Sequence, residues 1–180
     1  MQASPFKPVK LICSIIASSD EVFLAGEHHL KHLYGDIDAS SDAFAFTFTD
    51  YYEKEMGTGL FRRFFSFGRL VQPEVLSAVK IRTNRLEVEI GRDFRSSKRI
   101  INIDPGYCSA AALIMATTKD FAHRVPLRDG IYAHLEFLFG RREIKLLPWS
   151  YPDYNSEGYK AFFLRVRKIH LAQIREANSD

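Results

Sequence analysis

The chain has 180 residues, 46% hydrophobic and 26% charged, a size and balance expected of one globular domain that needs no disulfide or metal staple. Its net charge of +3, from 25 basic and 22 acidic residues, is too mild to indicate nucleic acid by itself. Cys13 and Cys108 sit in apolar or small-residue runs without zinc-ligand spacing, and no signal peptide or bilayer-length apolar stretch is visible, so the expectation is a cytoplasmic protein with no membrane partner.

Val9 to Ala17 is a continuous apolar run and reads as a buried strand. Ser18, Ser19 and Asp20 give the start signal of a helix over Asp20 to Tyr34, with Val22, Phe23, Leu30 and Leu33 facing inward and Gly35 ending it. Ala43 to Thr49 alternates with period 2, placing Phe44, Phe46 and Phe48 on one face of a strand. Asp50 to Gly59 is charged and turn-like, and Leu60 to Val71 reads as another strand. Pro73 opens a second helix in which Val75, Leu76, Val79, Leu86 and Ile90 recur at helical spacing until Gly91. Arg99 to Ile103 is a short strand closed by the turn Asp104-Pro105-Gly106.

The order so far is βαββαβ, which predicts a single α+β domain of ferredoxin-like order, an antiparallel sheet with two helices on one face. Extra antiparallel strands and a C-terminal helix extend it. Ala110 to Thr118 is a strand, and a charged segment runs to Arg128. Ile131 to Phe139 and Glu143 to Leu147 are the arms of a hairpin. A proline-aromatic loop, Pro148 to Tyr154, leads to a helix over about Ser156 to Ala177. The extra strands either enlarge one sheet or close a partial barrel.

Several separated segments occur in the order found in one family: PVKLI, TFTDYYEKEMG (Thr47 to Gly57), the arginine-bearing strand Arg62 to Phe67, KIRTNRLE (Lys80 to Glu87), NIDPGY (Asn102 to Tyr107), ATTKDFAHR (Ala116 to Arg124), DGIYA (Asp129 to Ala133) and WSYPDY (Trp149 to Tyr154). With these the chain resembles domain of unknown function 4416, over nearly its whole length; Pro126 is a small departure. The resemblance implies no chemistry beyond a label of GTP-binding protein carried by some members. The chain has no GxxxxGK[ST] loop to cradle phosphates, and Thr118-Lys119-Asp120 resembles a guanine-reading segment only loosely.

Five constellations could carry chemistry. Asp50, Glu53 and Glu55 follow a strand and offer oxygen ligands to a hard cation such as magnesium; the plain alternative is a solvated, capped turn. Arg62 and Arg63 lie near a helix face bearing Lys80, Asn84 and Glu87, an arrangement suited to phosphate or to an ion-pair network between helix and sheet. Asp104, at a strand end, is a candidate base or ligand, or caps its own turn. Lys119, Asp120, His123 and Arg124, if helical, would set Asp120 beside His123 for acid–base work, with Lys119 and Arg124 neutralising phosphate, or would form a salt-bridged surface turn. Phe64, Phe65 and Phe67 either stack bases as in RNA-recognition domains or fill a core.

The functional expectation is a protein or enzyme that binds a phosphorylated, nucleotide-like small molecule, with Arg62 or Arg63, Lys80, Asp104, Lys119 and His123 meeting in one pocket. The alternatives are an RNA-binding module using the sheet and the basic last helix (Lys160, Arg165, Arg167, Lys168, Arg175), and a structural or partner-binding protein.

Overall fold

The computed structural model describes residues 2, 4–49, 51–177 and 179. Among the described residues nine antiparallel strands form one sheet: β1 Val9–Ala17, β2 Ile37–Ser40, β3 Phe44–Ala45, β4 Phe61–Val71, β5 Ile101–Cys108, β6 Ala112–Thr117, β7 Arg124–Pro126, β8 Tyr132–Phe139 and β9 Ile144–Leu146. The spatial order is β2-β4-β1-β5-β6-β8-β7, with β3 also on β4 and β9 also on β8. The helices are α1 Asp20–Tyr34, α2 Glu53–Met56, α3 Leu76–Asp93 and α4 Glu157–Ala177. The fold is therefore α+β, and the extra strands enlarge one sheet. Among the described residues no helix is long and apolar enough to cross a membrane.

The burial of β1 along its whole length follows from its central place, since both of its faces are covered, and its Lys10 is paired with Asp38. Leu11, Cys13, Ile15 and Ala17 join a core with α1 and α3, where Phe65, Phe67, Leu30, Leu86 and Ile90 meet them. Ile12 joins the opposite core under α4, with Phe64, Phe137, Tyr154, Tyr159, Phe162 and Phe163. Phe64 is the centre of that second core: its ring lies 4.6 Å from Tyr159, 5.0 Å from Phe163 and 5.6 Å from Phe162. Ring pairs of this kind add about 0.5–1.5 kcal/mol each beyond area burial. Phe64, Phe65 and Phe67 are thus all core residues and present no stacking surface to solvent.

The helix termini follow local chemistry. Ser19 caps α1 by accepting the Val22 N–H, and Gly35, at φ 90°, ends it by donating to Lys31 O. Pro73 sits in a 3₁₀ turn that leads into α3.

Several expectations need correction. The strand expected over Ala43 to Thr49 is only Phe44–Ala45, because the chain then leaves β4; Ile37–Ser40, unremarked in sequence, supplies the edge pairing. The segment Asp50 to Gly59 contains the short α2. Lys119 to His123 is not helical, and Arg124–Pro126 is a strand on β8, so the helical facing of Asp120 with His123 does not arise.

Asp104-Pro105-Gly106 is not a closing turn. β5 runs straight through it and pairs with β1 from Ile101 to Cys108. Proline is tolerated there because backbone groups alternate sides along a strand. Ile103 N–H and C=O both point away from β1, to side chains of α3, so two residues on the Pro105 nitrogen points to the same outer side. No bond to β1 is lost. Gly106 then lets β6 approach, since a Cβ there would stand 2.5 Å from Ile114 O and Met115 Sδ.

Candidate functional site

β5 pairs with β6 only at Gly106, Tyr107 and Cys108, so residues 101–105 have a free outer edge. Side chains of α3 take the place of a strand. Lys80 Nζ donates to Ile103 O at 3.0 Å, and Glu87 Oε1 accepts the Ile103 N–H at 2.7 Å. Just before the strand, Arg99 Nε donates to Ile101 O at 3.2 Å. Beyond this edge β6 diverges toward β8, and the gap opens into a cavity of about 480 Å³. That volume falls in the range of small-molecule sites.

The walls come from many elements. Lys80, Asn84 and Glu87 project from α3, Asn102 and Asp104 from β5, Arg62 from β4, and His134 and Glu136 from β8. Thr117, Thr118 and Lys119 continue from the end of β6. Phe46, Phe48, Tyr51 and Tyr52, between β3 and α2, form an aromatic wall, with Tyr151 and Tyr154 on another side.

The charges nearly cancel in pairs. Lys80 meets Asp104 at 3.0 Å, Arg99 meets Glu87 at 2.7 Å, and Arg62 meets Asp153. The Arg62 guanidinium also lies 4.5 Å from the Phe46 ring centroid. Lys119 and Glu136 are left over. Among the described residues Lys119 has no carboxylate partner; its exposed ammonium stands 3.7 Å from the Tyr51 ring centroid. Tyr51 touches Tyr52, whose ring lies 5.7 Å from Arg99, so Lys119, Tyr51, Tyr52 and Arg99 form a continuous row.

Burial alone would push the Asp104 carboxyl up, but Lys80 and Arg62, with hydrogen bonds from Lys80 and Asn102, hold it below its usual 3.8. Burial raises Glu87 despite Arg99 and Lys80, and raises Glu136 despite His134. Glu136 Oε1 accepts the Tyr151 N–H at 2.7 Å. Its Oε2 is 3.0 Å from His134 Nε2, and the two side chains form a buried pair. On the other side of the ring His134 Nδ1 accepts from Arg124 Nε at 3.3 Å. That bond assigns the ring proton to Nε2.

Of the residues singled out in sequence, Arg62, Lys80, Asn84, Glu87, Asp104 and Lys119 line this one cavity. Arg124 stands behind it, donating also to Lys119 O at 2.8 Å and to the Tyr151 hydroxyl at 2.9 Å. His123 stacks on Trp149 at 5.1 Å and touches His134, outside the lining. Arg63 points to the other face of the sheet, over Phe23 and Phe65, because it alternates with Arg62 along β4. Asp120 and Glu53 are exposed and do not line the cavity, and Glu55 reaches Arg99 at 3.6 Å. Asp50 lies outside the described residues. Among the described residues no group of three His, Cys, Asp or Glu could hold a metal.

Sequence reasoning passed over Arg99, Asn102, His134 and Glu136. The last two carried a signal: in Tyr132–Phe139 they alternate with Leu135 and Phe137, which puts two ionisable groups on one face of a strand.

The fold and site define an α+β protein with a polar, ring-walled cavity where its single sheet splits. Residues 7–170 match the family described as domain of unknown function (DUF4416), and the chain belongs to that family. No curated protein and no solved structure matches it.

Proposed function

We propose that the chain binds a nucleotide-like small molecule in this cavity, its rings against the Tyr and Phe wall and its phosphate at Lys119. The carrying observation is that one cavity of about 480 Å³ gathers paired charges, amide groups and six aromatic side chains, while the exposed Lys119 offers an uncompensated charge among the described residues. A phosphate is strongly held by a charged donor, and a ring by aromatic faces. The paired cations Arg62 and Lys80 hold the walls in place, so they serve the site by rigidity.

The RNA-binding alternative has less support. Its candidate rings are buried, and Arg165 and Arg167 of α4 donate to backbone carbonyls of Ser40, Ala110 and Gly140. For the architecture we favour a ferredoxin-like first half. The order β2-β4-β1-β5, with α1 and α3 packed on one core, supports that reading. Two free, buried cysteines fit a reducing cytoplasm.

The test is a thermal-shift screen against nucleotides, sugar phosphates and short RNA, with and without magnesium. A ligand at about 100 times its dissociation constant adds roughly 2.7 kcal/mol, or about 5–10 °C for a chain of this size. A shift with nucleotides or sugar phosphates supports the proposal; a shift with RNA alone refutes it.

A further inference from the structure

A second opening adjoins the first. A groove of about 580 Å³ runs beside α3, walled by Arg85, Val88, Glu89 and Arg92 and by the turn at Asp129 and Gly130. Asn84 of α3 and Thr118 after β6 belong to both walls, so the cavity and the groove meet at these two residues. Lys119 follows Thr118 in the chain, and Arg85 follows Asn84. The groove has its own excess of cations. Glu89 meets Arg82 at 2.7 Å and Asp129 meets Arg128 at 3.6 Å, so each carboxylate is already compensated. Arg85 and Arg92 are exposed and, among the described residues, have no ion-pair partner. They stand close to two helical turns apart on α3, so they project to the same side, about 10 Å from one another along the axis.

We infer that the groove holds the far end of a phosphate chain, so that the ligand is a nucleoside di- or triphosphate whose first phosphate meets Lys119 and whose outer phosphates pass Asn84 and Thr118 to Arg85 and Arg92. The inference rests on the small-molecule reading above and adds the length and charge of the ligand's anionic end. Asn84 and Thr118 supply an amide and a hydroxyl at the passage, and both groups donate to phosphate oxygens. A guanidinium binds phosphate through two parallel N–H donors, and one without an ion-pair partner does so without first breaking a pair. A monophosphate held at Lys119 would leave both arginines unused, whereas each added phosphate carries negative charge toward them.

Calorimetric titration of the full chain, with and without magnesium, tests this with the mono-, di- and triphosphates of the common ribonucleosides. The expected result is that, for the nucleoside bound best, the triphosphate binds about tenfold or more tighter than the monophosphate. The double variant Arg85→Gln with Arg92→Gln should bring the triphosphate to within about threefold of the monophosphate, and leave the monophosphate itself within about twofold of its wild-type affinity. A charge-matched control, Lys168→Gln with Arg175→Gln on α4, which packs on the other face of the sheet, should preserve the gain and so separates the groove from general attraction to a basic chain. All four altered residues are exposed, so both double variants should fold. Equal binding whatever the number of phosphates, a gain that survives loss of the two arginines, or a gain lost equally in the control overturns the inference and leaves the cavity reading standing. Failure of every nucleotide to bind overturns both.

Discussion

His134 and Glu136, two residues apart on β8, bring Nε2 and Oε2 to 3.0 Å with both side chains sealed from solvent. The carboxyl is raised by burial above its usual 4.5. The folded chain therefore binds more protons than the unfolded chain from about pH 4.5 up to the folded value, so this group's contribution falls as pH rises through that window. Urea denaturation at about pH 5, 6 and 7 should show Glu136→Gln gaining on the wild type with rising pH. A difference that stays flat would mean that the carboxyl is not raised.

Asp104 has the opposite sign. Its carboxyl is held low, so its stabilisation is complete above its usual 3.8 and is lost as pH falls through the folded value. Lys80 supplies much of that effect and also holds Ile103 O. Lys80→Met leaves both acceptors short of a donor and should cost about 3 kcal/mol in denaturant unfolding, with a weaker acid limb. A loss under about 1 kcal/mol would show that the β5 edge does not depend on α3.

The Arg62–Asp153 pair ties β4 to the turn before α4, and both side chains are buried. Asp153→Ala leaves a buried guanidinium alone and should cost about 3–5 kcal/mol. The double variant Arg62→Met with Asp153→Leu should recover most of that loss, since apolar replacement of a buried pair is often neutral. Equal destabilisation by single and double variants would contradict this.

Long periodic segments were legible in the sequence. The runs of β1, β4 and α4 and the cap of α1 came through because burial pattern and terminus chemistry are local. The Lys80, Asn84 and Glu87 row was also legible, since helical spacing fixes a shared face, and it does line the cavity. β5 was legible only as far as Ile103, because a proline and a glycine that ordinarily signal a turn are accommodated here by an outer edge that α3 side chains satisfy. Arg63 could not be told from Arg62 without knowing which face of β4 looks into the cavity. The meeting of Asp153 with Arg62 joins residues far apart in sequence, which no local pattern encodes.

The most direct measurement is the affinity of phosphorylated ligands for the wild type and for Lys119→Ala, by calorimetry. Lys119 is exposed and outside every ion pair among the described residues, so its removal should cost no more than its one exposed contact with the Tyr51 ring, about 0.5–1 kcal/mol. Loss of one charged donor is worth about 1.5–3 kcal/mol, or about ten- to a hundredfold in affinity. The account requires saturable binding of a nucleotide to one site per chain, weakened by that factor in the variant. No saturable binding to the wild type, or equal affinity in both proteins, would contradict it.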